Sequence, residues 1–175
     1  MACRAVIFDL DGTLLDTLGE LGDSMNAVLK QLDFPTHPLD AYRYFIGNGM
    51  RLLVERALPE EARTQETIEA ALPLYQKAYE DRWNLSRPYD GIEALLSYLS
   101  KTSISLSVLS NKPDDFTQKC IRTLLPDTTF EVVRGHSDTF PKKPDPASAL
   151  AISRVVDCDP ADCLFVGDTS VDIET

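Results

Sequence analysis

The stretch that decides the fold is Arg4-Ala5-Val6-Ile7-Phe8-Asp9-Leu10-Asp11-Gly12-Thr13-Leu14-Leu15-Asp16. Its apolar run, Ala5–Phe8, is too short for a helix and rich in strand formers, and Gly12 ends it with a turn signal. Such a run predicts a strand that is buried on both faces of a parallel sheet. Asp9 then lies at the carboxyl end of the strand and Asp11 just beyond it. Ligands collect at this edge of open α/β sheets.

Two carboxylates at the end of one strand repel each other. An aspartate that caps a helix, or one that lies in a turn, would explain either Asp9 or Asp11 alone. It would not explain why both residues lie between a buried strand and Gly12-Thr13. A hard cation would offset the repulsion, because Mg²⁺ takes oxygen ligands and usually one or two carboxylates. We therefore expect Mg²⁺ as the cofactor at this edge of the sheet.

Length and composition limit the class of protein. The chain has 175 residues, 43% of them hydrophobic, which allows one domain or a core with a smaller insertion. A net charge of −11 argues against non-specific binding of nucleic acid, which needs a positive surface. Asp9 interrupts the first apolar run, and no apolar run is long enough to span a bilayer. We therefore expect a cytoplasmic protein without a membrane partner. Free thiols rather than a zinc site are expected for the cysteines, which lack C-x-x-C spacing: Cys3, Cys120, Cys158 and Cys163.

The segment after the first strand changes to helical spacing of apolar residues. Helices are expected at 18–32, 38–45, 50–58 and 60–83, and Pro73 is expected to kink or divide the last of them. An all-helical segment of this length between two strands is better explained by an inserted domain than by a loop. The expected organisation is an α/β core of residues 1–15 and 87–175 with a helical insertion of residues 16–86.

The remainder of the chain alternates between strands and helices. Strands are expected at 104–109, 130–133 and 163–166, and helices at 92–99, 114–125 and 147–156. This alternation predicts a mostly parallel, Rossmann-like sheet. Polar residues follow each strand, and these sets of polar residues are the candidates for a functional site.

Four segments, in order along the chain, carry a resemblance to a known family. The segment from Asp9 to Asp16 resembles the first motif of the haloacid dehalogenase superfamily in its phosphatase form. Ser110-Asn111 resembles the second motif, and Lys143 in Lys142-Lys143-Pro144-Asp145-Pro146 the third. Asp168 with Asp172 resembles the fourth. Each segment alone is an ordinary cap, surface charge or turn, and their occurrence in order makes the resemblance specific.

The resemblance implies an α/β core with an inserted helical cap, and a Mg²⁺-dependent phosphatase that acts through an aspartyl-phosphate. In this family pattern Asp9 is the nucleophile, and Asp11 protonates the leaving alkoxide and then takes a proton from water. Lys143 bridges Asp9 and a phosphate oxygen. The metal is held by Asp9, Asp168 and the backbone carbonyl of Asp11, while Asp172 holds the metal's water ligands or the loop.

The same resemblance implies the groups that bind the phosphate. Ser110 and the backbone N–H groups of Asn111 and Gly12 would hold phosphate oxygens, and Thr13 would brace the turn. A phosphoglucomutase shares all four motifs and differs mainly in the cap. A non-catalytic protein with this fold is the other alternative, but it would be expected to have lost one of the four key residues Asp9, Asp11, Lys143 and Asp168, and none is lost.

The helical cap contains a sequence segment with a more specific resemblance. Residues 46–58, which begin Ile46-Gly47-Asn48-Gly49-Met50-Arg51, resemble the cap segment of the phosphoglycolate phosphatase family. The resemblance implies 2-phosphoglycolate as substrate, with a sugar phosphate as the alternative. Gly47, Asn48 and Arg51 are the candidates for substrate binding, and Arg43 and Arg56 are further candidates for the carboxylate. A surface ion pair is the alternative for each arginine, and the sequence does not indicate the oligomeric state.

The chain ends at Thr175, shortly after the fourth motif. In the superfamily the core continues from there with a helix, another strand and a closing helix. We therefore expect a core truncated at its C-terminus, with no helix after the Asp168–Asp172 loop and with reduced stability.

Overall fold

The computed structural model describes residues 3–139 and 141–175, and it divides into two compact units. The core unit comprises Met1–Asp16 and Arg87–Thr175, and the helical unit comprises Thr17–Ser86. Strands β2 (Leu15–Asp16) and β3 (Arg87–Pro88) pair antiparallel where the chain leaves and re-enters the core unit. Because Asp16 pairs with Arg87, the helical unit begins one residue later than the sequence-based boundary.

The core unit contains a four-stranded parallel sheet, in the order β5-β4-β1-β6. Strand β1 lies between two neighbours, and all of its residues are buried. This burial explains why its sequence is an unbroken apolar run. The α/β fold with a parallel sheet is confirmed. The strands are β1 (Ala5–Phe8), β4 (Ser105–Pro113), β5 (Val132–His136) and β6 (Cys163–Val166).

The core unit also contains helices α4 (Ile92–Leu99), α5 (Asp114–Leu124), α6 (Ala147–Val155) and α7 (Ser170–Glu174). Ile7 of β1, Leu109 of β4 and Ile152 of α6 form a buried hydrophobic cluster in the core unit. Three expectations were wrong. Strand β4 continues to Pro113 instead of ending at 109, and β5 covers Val132–His136 instead of 130–133. A short helix, α7, begins directly after the Asp168 turn.

The helical unit contains helices α1 (Leu18–Gln31), α2 (Met50–Ala57) and α3 (Gln65–Glu80), with a 3-10 helix at Leu39–Tyr44. The expectation that Pro73 divides the last helix was wrong, since α3 runs through it. The break lies earlier, at Thr64, whose side chain accepts a hydrogen bond from Thr67 N at 3.2 Å and caps α3. None of the helices in the described part of the chain has the length and apolar content to cross a membrane.

Candidate active site

Three carboxylates converge at the carboxyl ends of the parallel strands. Asp9 follows β1 directly, its N–H donates to the Val166 carbonyl at 2.8 Å, and only 5% of the residue is exposed. Asp168 lies two residues beyond β6, and Asp172 lies in α7. One oxygen from each of Asp9, Asp168 and Asp172 lies within 4.8 Å of the others. The residues that sequence analysis assigned to separate motifs therefore meet at one point.

Lys143 is the cation inside this cluster. Its Nζ lies 2.8 Å from Oδ1 of Asp9 and 2.6 Å from Oδ1 of Asp172, and the side chain is almost completely buried. Burial raises the pKa of Asp9 to about 6, although the positive charge of Lys143 acts in the opposite direction. Lys143 therefore offsets part of the repulsion that burying adjacent carboxylates creates.

Asn111 fixes the loop that carries Lys143. Its Oδ1 accepts from Lys143 N at 2.9 Å, and its Nδ2 donates to Lys143 O at 3.0 Å. The second candidate of this motif, Ser110, accepts through Oγ from Lys112 N at 3.2 Å. The sequence assigned the backbone of Asn111 to phosphate binding and missed the task of its side chain, which is to hold Lys143 in place.

Asp168 is oriented by the turn that follows β1. Thr13 Oγ1 donates to Asp168 Oδ1 at 3.1 Å. Burial raises the pKa of Asp168, and the bond from Thr13 opposes that shift. The N–H of Gly12 donates to the Leu15 carbonyl at 2.9 Å, so it is engaged within the turn. Phosphate binding by the Gly12 N–H stays a prediction.

Both oxygens of Asp172 are engaged within the core unit. Oδ1 accepts from Lys143, and Oδ2 accepts from Thr169 N at 3.0 Å and Thr169 Oγ1 at 2.6 Å in a capping box that opens α7. Burial acts to raise the pKa of Asp172, but Lys143 and the bonds from Thr169 outweigh it and lower that pKa. Of the two roles expected for Asp172, this arrangement matches the one that holds the loop.

Asp11 has a partner that sequence analysis missed. Lys112 Nζ lies 2.9 Å from Oδ1 and 3.1 Å from Oδ2 of Asp11, and both side chains are largely buried, at 4% and 13% exposure. The sequence feature that could have identified Lys112 is its position, because Lys112 directly follows Ser110-Asn111. A lysine is normally solvated, so its position alone did not identify it.

The candidates for substrate binding in the helical unit lie in the turn before α2. Gly47 and Gly49 have positive φ angles, 102° and 90°, which this turn requires, and Asn48 lies between them. Arg51 Nη1 lies 2.7 Å from Glu69 Oε1. Its other nitrogen donates to Gln65 Oε1 at 2.8 Å, so the guanidinium is held in an ion pair on the surface of the helical unit. The remaining arginines are also engaged, Arg43 with Asp40 and Arg56 with the carbonyls of Tyr44 and Phe45.

The clustered residues fit a hard divalent cation. The donors are carboxylate oxygens, which Mg²⁺ prefers, and they approach closely enough to share one ion. The nearby charges of Asp172 and Asp11 contribute to the raised pKa of Asp9, and a bound cation would reverse that repulsion. Asp9 and Asp168 are the residues that would hold it, because both oxygens of Asp172 already accept hydrogen bonds.

We expect Mg²⁺ to stabilise the folded protein. At one hundred times the dissociation constant, a ligand that binds only the folded state adds about 2.7 kcal/mol to the free energy of unfolding. Thermal unfolding with and without Mg²⁺ measures the effect, and Asp168→Asn should remove most of it. An equal Mg²⁺ shift in wild type and in Asp168→Asn would show that the ion binds elsewhere.

We expect Gly12→Ala to disturb the site beyond its backbone strain. Gly12 has φ +86°, and a Cβ there would lie 2.7 Å from Asp168 Cγ. Gly91 has φ +87° with nothing within 4 Å of such a Cβ, which makes Gly91→Ala the matched control. Both substitutions should cost about 1–2 kcal/mol of stability for the left-handed backbone. Only Gly12→Ala should also weaken Mg²⁺ binding by calorimetry, and equal Mg²⁺ affinity in both variants would contradict this account.

Comparison with known proteins places this geometry in a family context. The family model described as haloacid dehalogenase-like hydrolase matches residues 6–175. Phosphoglycolate phosphatase 1 of Pseudomonas aeruginosa is 35% identical over 97% of this chain. The chain spans 64% of that relative's length.

Two further comparisons agree. Phosphoglycolate phosphatase of Psychrobacter arcticus is 34% identical, over 97% of this chain and 77% of its own length. A solved structure from Haemophilus somnus, described as a predicted phosphoglycolate phosphatase, superposes with a TM-score of 0.90 and is 29% identical. That comparison covers 98% of this chain and 79% of the other. The whole described chain, and not a single motif, therefore shares the architecture of these proteins.

Proposed function

This chain belongs to the haloacid dehalogenase-like hydrolase family, and from that premise we propose that it hydrolyses a phosphomonoester through an aspartyl-phosphate on Asp9. The observation that supports the proposal best is the convergence of Asp9, Asp168 and Lys143 at one edge of the parallel sheet. This arrangement combines a buried carboxylate, a second carboxylate for a metal and a buried cation for a phosphate oxygen. A buried carboxylate with a raised pKa beside a charged partner is also typical of functional sites.

Asp9 performs the first step in this proposal. With a pKa of about 6 it is mostly ionised at neutral pH, so it needs no base to attack phosphorus. An oxygen of Asp9 forms a bond to phosphorus, and the bond from phosphorus to the ester oxygen breaks. This step requires Asp11 to be protonated when the substrate is bound, so that it can give this proton to the departing alkoxide. Asp11 then takes a proton from the water that attacks the aspartyl-phosphate, which releases inorganic phosphate and restores Asp9.

The surrounding residues offset the negative charge that meets in this step. Lys143 contacts Asp9 already and would bind a phosphate oxygen alongside it. The hydroxyl of Ser110 and the backbone N–H of Asn111 remain the candidates for the other oxygens. A Mg²⁺ ion held by Asp9 and Asp168 would supply the charge that offsets repulsion between the nucleophile and a phosphate dianion.

We propose 2-phosphoglycolate as the substrate. The support is the name carried by the relatives of 34–35% identity, together with the cap phrase around Gly47 and Asn48. Arg51 is a weaker candidate for the substrate carboxylate, since Glu69 and Gln65 already hold its guanidinium. 2-Phosphoglycolate has a two-carbon group that carries a carboxylate, whereas a sugar phosphate is larger and lacks that charge, so an assay can separate the two substrate classes.

The test is release of phosphate from 2-phosphoglycolate beside a panel of sugar phosphates, with Mg²⁺ and with EDTA. We expect release that requires Mg²⁺ and a kcat/KM for 2-phosphoglycolate at least tenfold above every sugar phosphate. Comparable values across the panel would retain the reaction and discard the substrate. Release that persists unchanged in EDTA would contradict the metal requirement.

A further inference from the structure

The buried ion pair between Lys112 and Asp11 suggests a function that none of the family motifs quoted above assigns to this lysine. We propose that Lys112 is a positioning residue that holds the Asp11 carboxylate in the orientation needed for proton transfer. The proposal rests on the function proposed above, because Asp11 matters as an acid and base only if the chain hydrolyses a phosphomonoester.

The contact defines the orientation of the Asp11 carboxylate. Lys112 Nζ reaches both oxygens, at 2.9 Å and 3.1 Å, so rotation about the last side-chain bond would break one of the two contacts. Asp11 lies on the turn after β1, in an isolated bridge with Leu15. A general acid must lie within hydrogen-bond reach of the oxygen that it protonates, so a freely rotating carboxylate would be a poor one.

Lys112 is itself held firmly enough to position another group. It lies near the end of β4, where its N–H donates to Ser110 Oγ at 3.2 Å and its carbonyl accepts from Thr117 Oγ1 at 3.3 Å. Its side chain is 4% exposed. A buried ammonium group is tolerated when it is paired, and the carboxylate of Asp11 supplies that pairing.

The two buried lysines of the site contact different carboxylates. Lys143 contacts Asp9 and Asp172, whereas Lys112 contacts Asp11. Lys143 is therefore tied to the nucleophile and the α7 loop, and Lys112 to the proton-transfer group. Because Lys112 and Lys143 contact different carboxylates, an effect of Lys112 that passes through Asp11 can be measured separately from the effect of Lys143.

The decisive experiment is a double-mutant cycle in the intact protein with Lys112→Met, Asp11→Asn and the combined variant. We expect Lys112→Met to lower kcat on 2-phosphoglycolate by about 100-fold, the lower end of general acid–base effects, with KM changed by less than about twofold. The loss on p-nitrophenyl phosphate should be smaller, because its phenolate leaves with little protonation. In the Asp11→Asn background the same substitution should lower kcat by less than about threefold.

The control is Lys101→Met, which removes the same charge from an exposed position of the core unit and should leave kcat unchanged. Full loss of activity from Lys112→Met in the Asp11→Asn background would overturn the proposal, because Lys112 would then act without Asp11. A rise in KM confined to carboxylated substrates would also overturn it, since Lys112 would then bind the substrate.

Thermal unfolding of the same variants keeps the proposal testable if no substrate is hydrolysed, an outcome that would reject the proposed function. Each single substitution leaves one buried charge without its partner and should lower Tm. If Lys112 holds Asp11, the combined variant should lose clearly less than the sum of the two single losses. Additive losses would overturn the positioning role whatever the activity.

Discussion

Replacing Asp9 by asparagine is expected to lower the rate of phosphate release at saturating substrate by at least about 10⁴-fold, the scale on which removal of a nucleophile acts in well-studied hydrolases. The amide has the same shape as the carboxylate but no charge, and its oxygen is a poor nucleophile towards phosphorus. That amide oxygen could still accept a hydrogen bond from Lys143, so the fold should persist. Phosphate release under single-turnover and steady-state conditions measures the loss.

Asp90→Asn is the matched control for this substitution. Asp90 is an exposed aspartate of the core unit, outside the carboxylate cluster, and its replacement makes the same chemical change. Its activity should equal that of the wild type. Circular dichroism should show both variants folded, and an Asp9→Asn variant that is folded but retains more than about a tenth of the activity would exclude Asp9 as the nucleophile.

Lys143→Met is expected to reduce both activity and stability. The substitution removes the cation between two buried carboxylates, whose oxygens lie 2.8 Å and 2.6 Å from it. Breaking a buried pair by removing one partner typically costs about 3–5 kcal/mol, and we expect a loss of stability near the lower end of that range. Activity should fall by about 10²–10³-fold, because one electrostatic contact to the phosphoryl group is lost. Denaturant unfolding and steady-state kinetics measure the two effects.

The neighbouring Lys142 supplies the control, since Lys142→Met removes the same charge from the same loop. Lys142 is half-buried, whereas Lys143 is 4% exposed and bonded to both carboxylates. A loss of less than about 1 kcal/mol is expected for Lys142→Met. Equal losses of stability for the two variants would show that general charge in the loop, and not the bridge between Asp9 and Asp172, explains the effect.

The sheet was predictable from the sequence where apolar runs end in turn signals. Strands β1 and β6 have the expected bounds, Ala5–Phe8 and Cys163–Val166. Strand β4 was expected to end at Leu109, because the polar residues that follow suggest a loop. They are buried instead, and the strand continues to Pro113. Burial of these residues depends on partners elsewhere in the chain, which local patterning does not contain.

The sequence predicted which residues belong to the site and their order along the chain, but it did not predict the contacts between them. Asn111 bonds to the backbone of Lys143, which is 32 positions away, and Lys112 bonds to Asp11, which is 101 positions away. A lysine considered alone is assigned to solvent, because an unpaired buried ammonium group is costly. Only the fold brings the compensating carboxylate to it, so Lys112 was missed while Lys143 was found through its motif.

The most direct test of the central claim is the detection of phosphate covalently attached to Asp9. The protein would be mixed with 2-phosphoglycolate and Mg²⁺, quenched in acid during turnover, digested and examined by mass spectrometry, with Asp9→Asn treated in parallel. The account predicts a peptide carrying one phosphoryl group on Asp9 in the wild type and none in the variant. Turnover without any phosphorylated peptide, or with the phosphoryl group on another residue, would contradict the assignment of Asp9 as the nucleophile.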